Sequence, residues 1–248
     1  MTSPPLLGNT GDGFLLNRGA YTRIVAPGSA SETVLYGINQ RGQSVGGYVD
    51  ADGSVQGFLL AKGVFTPIQF PGAKATTPIK VNARGQIVGV FSEVTDRRPL
   101  RPPYSGFLLD KGVFATIEVP GARATAALDI NNRGQIVGAY FTNSNHGFLL
   151  ERGVCTTIDP PGATITQPNG INNRGQIVGA YADAGGMIHG FRREGRTFTT
   201  LDAPGASPHT VAYEIDDRGR IVGFRQTTNE DSSIPSRIGD PGLRPAVP

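Results

Sequence analysis

Three ionisable residues, Lys80, Asp129 and Glu214, each stand directly before an apolar residue followed by Asn or Asp: Val81-Asn82, Ile130-Asn131 and Ile215-Asp216. The same local pattern occurs twice more, at Ile38-Asn39 and Ile171-Asn172, where the preceding residue is Gly37 or Gly170. A position that served only the fold would be filled alike in every copy. A lysine with two carboxylates is a set able to do acid–base chemistry: Lys80 as electrophile or general base, Asp129 and Glu214 as acid and base. Elimination, cyclisation or isomerisation of a polar small molecule fits that set, and hydrolysis by paired carboxylates stays open. One residue earlier stand Tyr36, Asn169 and Tyr213, of types that orient a substrate or, for Tyr213, donate a proton. The bland alternative is an ion cluster that fills space, since structural ion networks also perturb pKa values.

Other candidates are weaker. The segment Ser92–Tyr104 carries Arg97, Arg98 and Arg101 among prolines and reads as a substrate-binding lid or anion clamp, or equally as a surface insertion. The turn arginines Arg41, Arg84, Arg133, Arg174 and Arg218 gather positive charge on one face, with acidic neighbours that blunt it. His146, His189 and His209 occupy different repeat positions and read as structural. Asp50-Ala51-Asp52-Gly53 begins like a calcium loop but lacks the later ligands, so an Asp-Gly turn is expected. No phosphate loop, nucleophile elbow, zinc motif or cysteine pair is present, and neither a cofactor nor a metal is implied. The net charge of +3 is spread over interspersed charges, which points away from nucleic acid. No apolar run is long enough to span a membrane as a helix. The single Cys155 leaves the redox compartment open.

What positions these residues is a repeat. Gly13-Phe14-Leu15-Leu16 returns at Gly57, Gly106 and Gly147, and as Gly190-Phe191-Arg192-Arg193, at intervals of about 40–50 residues. Each copy continues through a Gly-centred turn, a short strand, a Pro-Gly link (Pro27, Pro71, Pro120, Pro161, Pro204), the apolar-Asn pair, an Arg-Gly turn and a strand such as Gln135–Tyr140. Four short strands per copy, with 35 Gly and 19 Pro at the turns, predict an all-β, five-bladed β-propeller with four antiparallel strands per blade. Because the Pro-Gly segment is the longest regular link, the strand ending in Asn is expected innermost, followed outward by the Gln-Ile-Val-Gly, Gly-Phe-Leu-Leu and Phe-Thr-Thr-Ile strands. Complete blades are then expected at 33–69, 77–118, 126–158 and 168–201, with the last blade closed by joining 211–225 to 13–24. The domain is expected to occupy residues 1–226, and 227–248, rich in Ser, Pro and Gly, reads as a flexible C-terminal tail. On that plan Lys80, Asp129 and Glu214 meet at a narrow axial funnel.

The recurring Gly-Phe-Leu-Leu, Pro-Gly-Ala and Ile-Asn-Asn-Arg-Gly-Gln-Ile-Val-Gly motifs, with His-Gly-Phe at 146–148 and 189–191, resemble the HAF-type "probable extracellular repeat" family over about residues 11–226. The resemblance implies a repeat protein found outside bacterial cells and supplies no catalytic residues. The N-terminal residues, read by themselves, carry no secretion signal and predict an unexported chain. The functional expectation is one site at the funnel mouth for a polar small molecule or carbohydrate. The alternatives are a lectin-like or adhesive module with a pocket in every repeat, and a scaffold that binds a protein partner.

Overall fold

The computed structural model describes residues 11–94, 103–204 and 209–226, and among these there are strands and turns but no helix. Four sheets repeat one meander. The first holds β3 (Thr33–Ile38), β4 (Ser44–Val49), β5 (Val55–Ala61) and β6 (Val64–Ile68). The second holds β7 (Ala75–Val81), β8 (Ile87–Ser92), β9 (Ser105–Asp110) and β10 (Val113–Ile117). The third holds β11 (Ala124–Ile130), β12 (Ile136–Phe141), β13 (Asn145–Glu151) and β14 (Val154–Thr157). The fourth holds β15 (Ile165–Ile171), β16 (Ile177–Ala182), β17 (Ile188–Glu194) and β18 (Thr197–Leu201). Two hairpins remain, β1 (Gly13–Asn17) with β2 (Ala20–Ile24), and β19 (Thr210–Ile215) with β20 (Ile221–Arg225). The result is a propeller-like series of antiparallel blades whose first strands lie side by side.

Each second strand reads as an unbroken apolar run because its sheet is sandwiched between neighbours. Ile136 packs with Val88 and Ile117 of the preceding blade, whereas Val137 packs with Ile158 and Ile171 on the other side. The glycine next in line has a steric cause. A Cβ on Gly138 would collide with the Ala126 carbonyl and come 2.9 Å from the Phe148 ring, and Gly89 and Gly179 sit against Phe107 and Phe191 in the same way. At the outer hairpins, Lys111 and Gly112 take φ of 51° and 81°, the left-handed pair that a two-residue connection requires.

A chain of asparagine amides joins blade to blade. Asn39 Nδ2 donates to the carbonyl of Asn82 at 2.9 Å, Asn82 to Asn131 at 3.0 Å, Asn131 to Asn172 at 3.0 Å, and Asn172 to Asp216 at 3.0 Å. Each Asn Oδ1 meanwhile accepts two backbone N–H groups of its own turn, as Asn131 does from Arg133 at 2.9 Å and Gln135 at 3.1 Å. One side chain thus shapes a turn and ties it to the next blade. The relay ends at Asp216, which has no amide N–H to pass on and instead accepts from Arg218, Arg220 and the Arg220 guanidinium.

The sequence predicts one composite last blade; the structure holds β1–β2 and β19–β20 as separate two-stranded sheets. The β1–β2 hairpin packs on the first complete blade through Ile24, Phe58 and Leu60, and β19–β20 packs on the fourth through Val178, Ala212 and Ile215. Each hairpin leaves a seam where its apolar groups meet water. Phe14 is 61% exposed while its repeat equivalents Phe58, Phe107, Phe148 and Phe191 are at most 1% exposed. Val222 is 61% exposed against 0% for Val45, Val88, Val137 and Val178. Asp216 lacks the side-chain amide by which Asn39, Asn82, Asn131 and Asn172 each reach the following turn. Replacing Gly138 by Ala should destabilise the fold by about 3 kcal/mol, the scale of overpacking a core against backbone, readable as a lowered urea midpoint with an unchanged slope. An equal midpoint would show that the β11–β12 contact can relax.

Candidate functional site

Each first strand carries the same irregularity. The ladder to the second strand skips one residue between Leu35 and Gly37, Pro78 and Lys80, Ala127 and Asp129, Pro168 and Gly170, and Ala212 and Glu214. Such a bulge leaves one residue unpaired and re-aims the next side chain. The re-aimed residues are the five variable positions, so the bulge brings Lys80, Asp129 and Glu214 together from three different sheets.

Lys80 Nζ lies 2.5 and 2.6 Å from the two oxygens of Glu214 and 3.9 Å from Asp129 Oδ1. Asp129 is 2% exposed and accepts 2.7 Å bonds from the Ile130 and Ile171 backbone N–H groups. Access from solvent runs past Glu214, whose side chain is about half exposed. The glycines at the other two positions give this cluster its room. A Cβ on Gly37 would come 2.7 Å from the Ile79 carbonyl and 3.2 Å from the Cα of Lys80; one on Gly170 would meet the Tyr213 carbonyl at 2.9 Å and the Cα of Glu214 at 3.2 Å. The two apparent blanks in the pattern let the charged neighbours approach.

Burial pushes the Asp129 carboxyl up to about 6; the Lys80 charge and the two N–H bonds pull the other way, and Glu214 adds to the rise. Burial lowers the Lys80 pKa, but Asp129 and Glu214 outweigh it and hold the ammonium protonated. Lys80 is thereby suited to hold an anion or stabilise developing negative charge and ill suited to accept a proton. Asp129, raised toward the neutral range to about 6, is the group best placed to exchange a proton.

The remaining sequence candidates disperse. Asn169 Nδ2 donates to the Ala212 carbonyl at 2.9 Å and its Oδ1 accepts from Gln167 at 3.1 Å, which ties it to β19 beside Tyr213. Asn169 and Tyr213 line a common cavity flanking the axis. Burial and the Glu32 charge raise Tyr36 to about 12, so it is a poor proton donor. Arg97, Arg98 and Arg101 lie outside the described residues. The histidines hold strand ends: His146 Nδ1 bonds Asp159 at 2.8 Å, His189 Nδ1 bonds Asp202 at 2.9 Å, and each ring stacks on a tyrosine, Tyr140 or Tyr181. What sequence reading missed is the steric role of Gly37 and Gly170, and Phe224, which stands where other repeats have Gly47, Val90, Ala139 or Ala180.

No family model and no curated protein matches the sequence. Among solved structures, TolB from Acinetobacter baumannii is similar with a TM-score of 0.52 at 12% identity, over 76% of this chain and 47% of that one. The chain therefore spans about half the length of TolB. A gluconolactonase from Xanthomonas campestris aligns over 83% of this chain and 73% of its own at 12% identity and a TM-score of 0.45. A fucoside-bound lectin variant from Aleuria aurantia aligns over 86% and 79%, also at 12% identity and 0.45. The likeness to TolB is one of fold, a propeller-like arrangement of blades.

The raised Asp129 pKa sets the sign of a pH effect. The folded value lies above the unfolded one, so its stabilising contribution is complete below about pH 4 and is lost as pH rises through about 6. Relative to Asp129→Asn, the wild type should lose on the order of 2 kcal/mol across that window, measured by urea unfolding. A difference that grows in the opposite direction would show the carboxyl to be held ionised.

Proposed function

We propose that the chain closes as a five-bladed propeller with a composite last blade, and that its funnel mouth binds a polar small molecule. On that molecule Asp129 and Glu214 act as acid and base, in a lyase, cyclase or isomerase type of reaction. Lys80 supplies positive charge, and Tyr213, Tyr36 and Asn169 stand around the entrance as orienting groups. The observation that carries this reading is the meeting of three unlike ionisable groups from three sheets at one re-aimed position, with the other two positions emptied to glycine. A plug that served stability alone would gain little from a carboxyl buried at such cost, because apolar side chains of the same volume fill a core at least as well.

Closure is supported by the exposed residues of the seam. In every complete blade the glycine of the second strand lies opposite the phenylalanine of the third, as Gly138 does opposite Phe148. Carried to the terminal hairpins, that register sets Gly223 opposite Phe14, Val222 opposite Leu15 and Arg225 opposite Asp12, burying Phe14 and pairing opposite charges. The lectin-like alternative needs the same ligand groups in every blade. The set Tyr140, His146, Thr157 and Asp159 recurs only as Tyr181, His189, Thr200 and Asp202, and both sets bond within themselves.

Closure is tested by Leu15→Cys with Val222→Cys in a Cys155→Ser background, where mild oxidation should give an intramolecular disulfide in the monomer. Dimers alone, or no cross-link, would overturn the composite blade. For the site, thermal-shift titration with hydroxy acids, sugar acids and neutral sugars should reveal a ligand whose effect falls at least tenfold in Lys80→Met and in Glu214→Gln. A panel with no binder, or binding indifferent to both substitutions, would count against the funnel.

A further inference from the structure

Beside the charged axis lies a cavity of about 380 Å³ between the fourth blade and the β19–β20 hairpin. Its apolar walls come from Ile165, Ala180 and Ile188 on one side and from Val211 and Phe224 on the other. The polar residues are Gln167, Asn169, His209, Tyr213 and Gln226, with Thr164 and Tyr181, whose hydroxyl bonds Thr200. Among the described residues no Asp, Glu, Lys or Arg lines it. We propose that this cavity is a second ligand site, beside the funnel and bordering its entrance at Asn169 and Tyr213, which takes a neutral small molecule with an apolar ring body and one or two hydrogen-bonding groups.

The size falls within the range of small-molecule sites, and the pattern of apolar walls with few polar groups is the usual one. Charge decides the ligand class. A carboxylate, phosphate or ammonium entering here would lose water and find no counter-charge, whereas a neutral molecule meets no such cost. The polar groups offer a defined pair of contacts. Asn169 is engaged on both sides, accepting from Gln167 Nε2 and donating to the Ala212 carbonyl, which leaves the Gln167 carbonyl oxygen as an acceptor. His209 Nδ1 accepts from the Ile188 backbone N–H at 3.3 Å, so in the neutral ring the proton is on Nε2 as a donor. A hydroxyl or secondary amine could use both.

Comparison between repeats shows the cavity to be particular to this place. The positions of Ile165 and Gln167 hold Ala75 and Thr77 in one blade and Ala124 and Ala126 in another, and all four of those are buried, whereas Ile165 and Gln167 are half-buried. Across the gap, Phe224 puts an aromatic ring at a position that is small or aliphatic in the other repeats. Joining β1 to β20 would add an outer wall and leave the β15, β16 and β19 residues where they are. The proposal is therefore independent of the chemistry assigned to Lys80, Asp129 and Glu214.

Two dyes that share a skeleton test it: N-phenyl-1-naphthylamine, which is neutral, and 8-anilinonaphthalene-1-sulfonate, which adds a sulfonate. The neutral dye should bind with one-to-one stoichiometry and at least ten times more tightly than the sulfonate. Ala180→Leu, which fills the cavity, and Gln167→Glu, which adds a charge at nearly constant size, should each weaken the neutral dye at least tenfold, with circular dichroism confirming the fold. Lys80→Met should leave it unchanged, which separates this site from the funnel. Equal affinity for both dyes, more than one dye per chain, or indifference to both cavity substitutions in folded protein would overturn the proposal, since the exposed seam would then be the binding surface.

Discussion

The rest of the architecture depends on an amide proton that each blade gives to the next. A sheet of four short strands cannot bury both of its faces by itself, and apolar contact between sheets is tolerant of sliding. A hydrogen bond from Asn Nδ2 to one particular carbonyl is not tolerant. It fixes height and rotation at the axis, where a small error would be magnified at the outer strands. Each such bond contributes about 1 kcal/mol net, so cohesion comes from burial of Val, Ile and Phe between sheets while the amides set the geometry. Since the same Asn organises its own turn, the turn cannot distort without loosening the joint.

Fixing the inner strands in this way makes a bulge useful. With backbones held in register, skipping one residue re-aims one position in each of five first strands, and what gathers there becomes a matter of which residues are chosen. Two glycines admit the backbones carrying Lys80 and Glu214, and the three charged groups then satisfy one another. Their arrangement is graded: Glu214 meets solvent, Lys80 bridges, and Asp129 lies beneath with two backbone N–H groups. The gradient gives the two carboxyls unlike environments, and burial raises the proton affinity of Asp129.

Much of this was legible in the residues because the repeat allows one copy to be compared with another. The strand order, the four complete blades to within a few residues, and the convergence of Lys80, Asp129 and Glu214 follow from motif spacing and from the length of the Pro-Gly link. The bulge was not legible, because Tyr36, Ile79, Leu128, Asn169 and Tyr213 mix aromatic, aliphatic and amide side chains; backbone geometry, not side-chain chemistry, is what recurs there. Gly37 and Gly170 looked like vacancies, since the carbonyls and Cα atoms they accommodate belong to the neighbouring blade. The separation of the two terminal hairpins was not legible either, since each repeats the local motifs of the complete blades and only the partner strands differ.

The direction of the amide relay bears on how such a chain could have grown. Every joint consists of a donor in the earlier copy and a carbonyl in the later one, so a copy duplicated within the series inherits a donor for its successor and an acceptor for its predecessor. The tandem can lengthen or shorten internally without a new joint being invented. Among the described copies only the one bearing Asp216 accepts at this joint without donating a side-chain amide proton onward. A single change of side-chain amide to carboxylate thus removes the donor while keeping the acceptor.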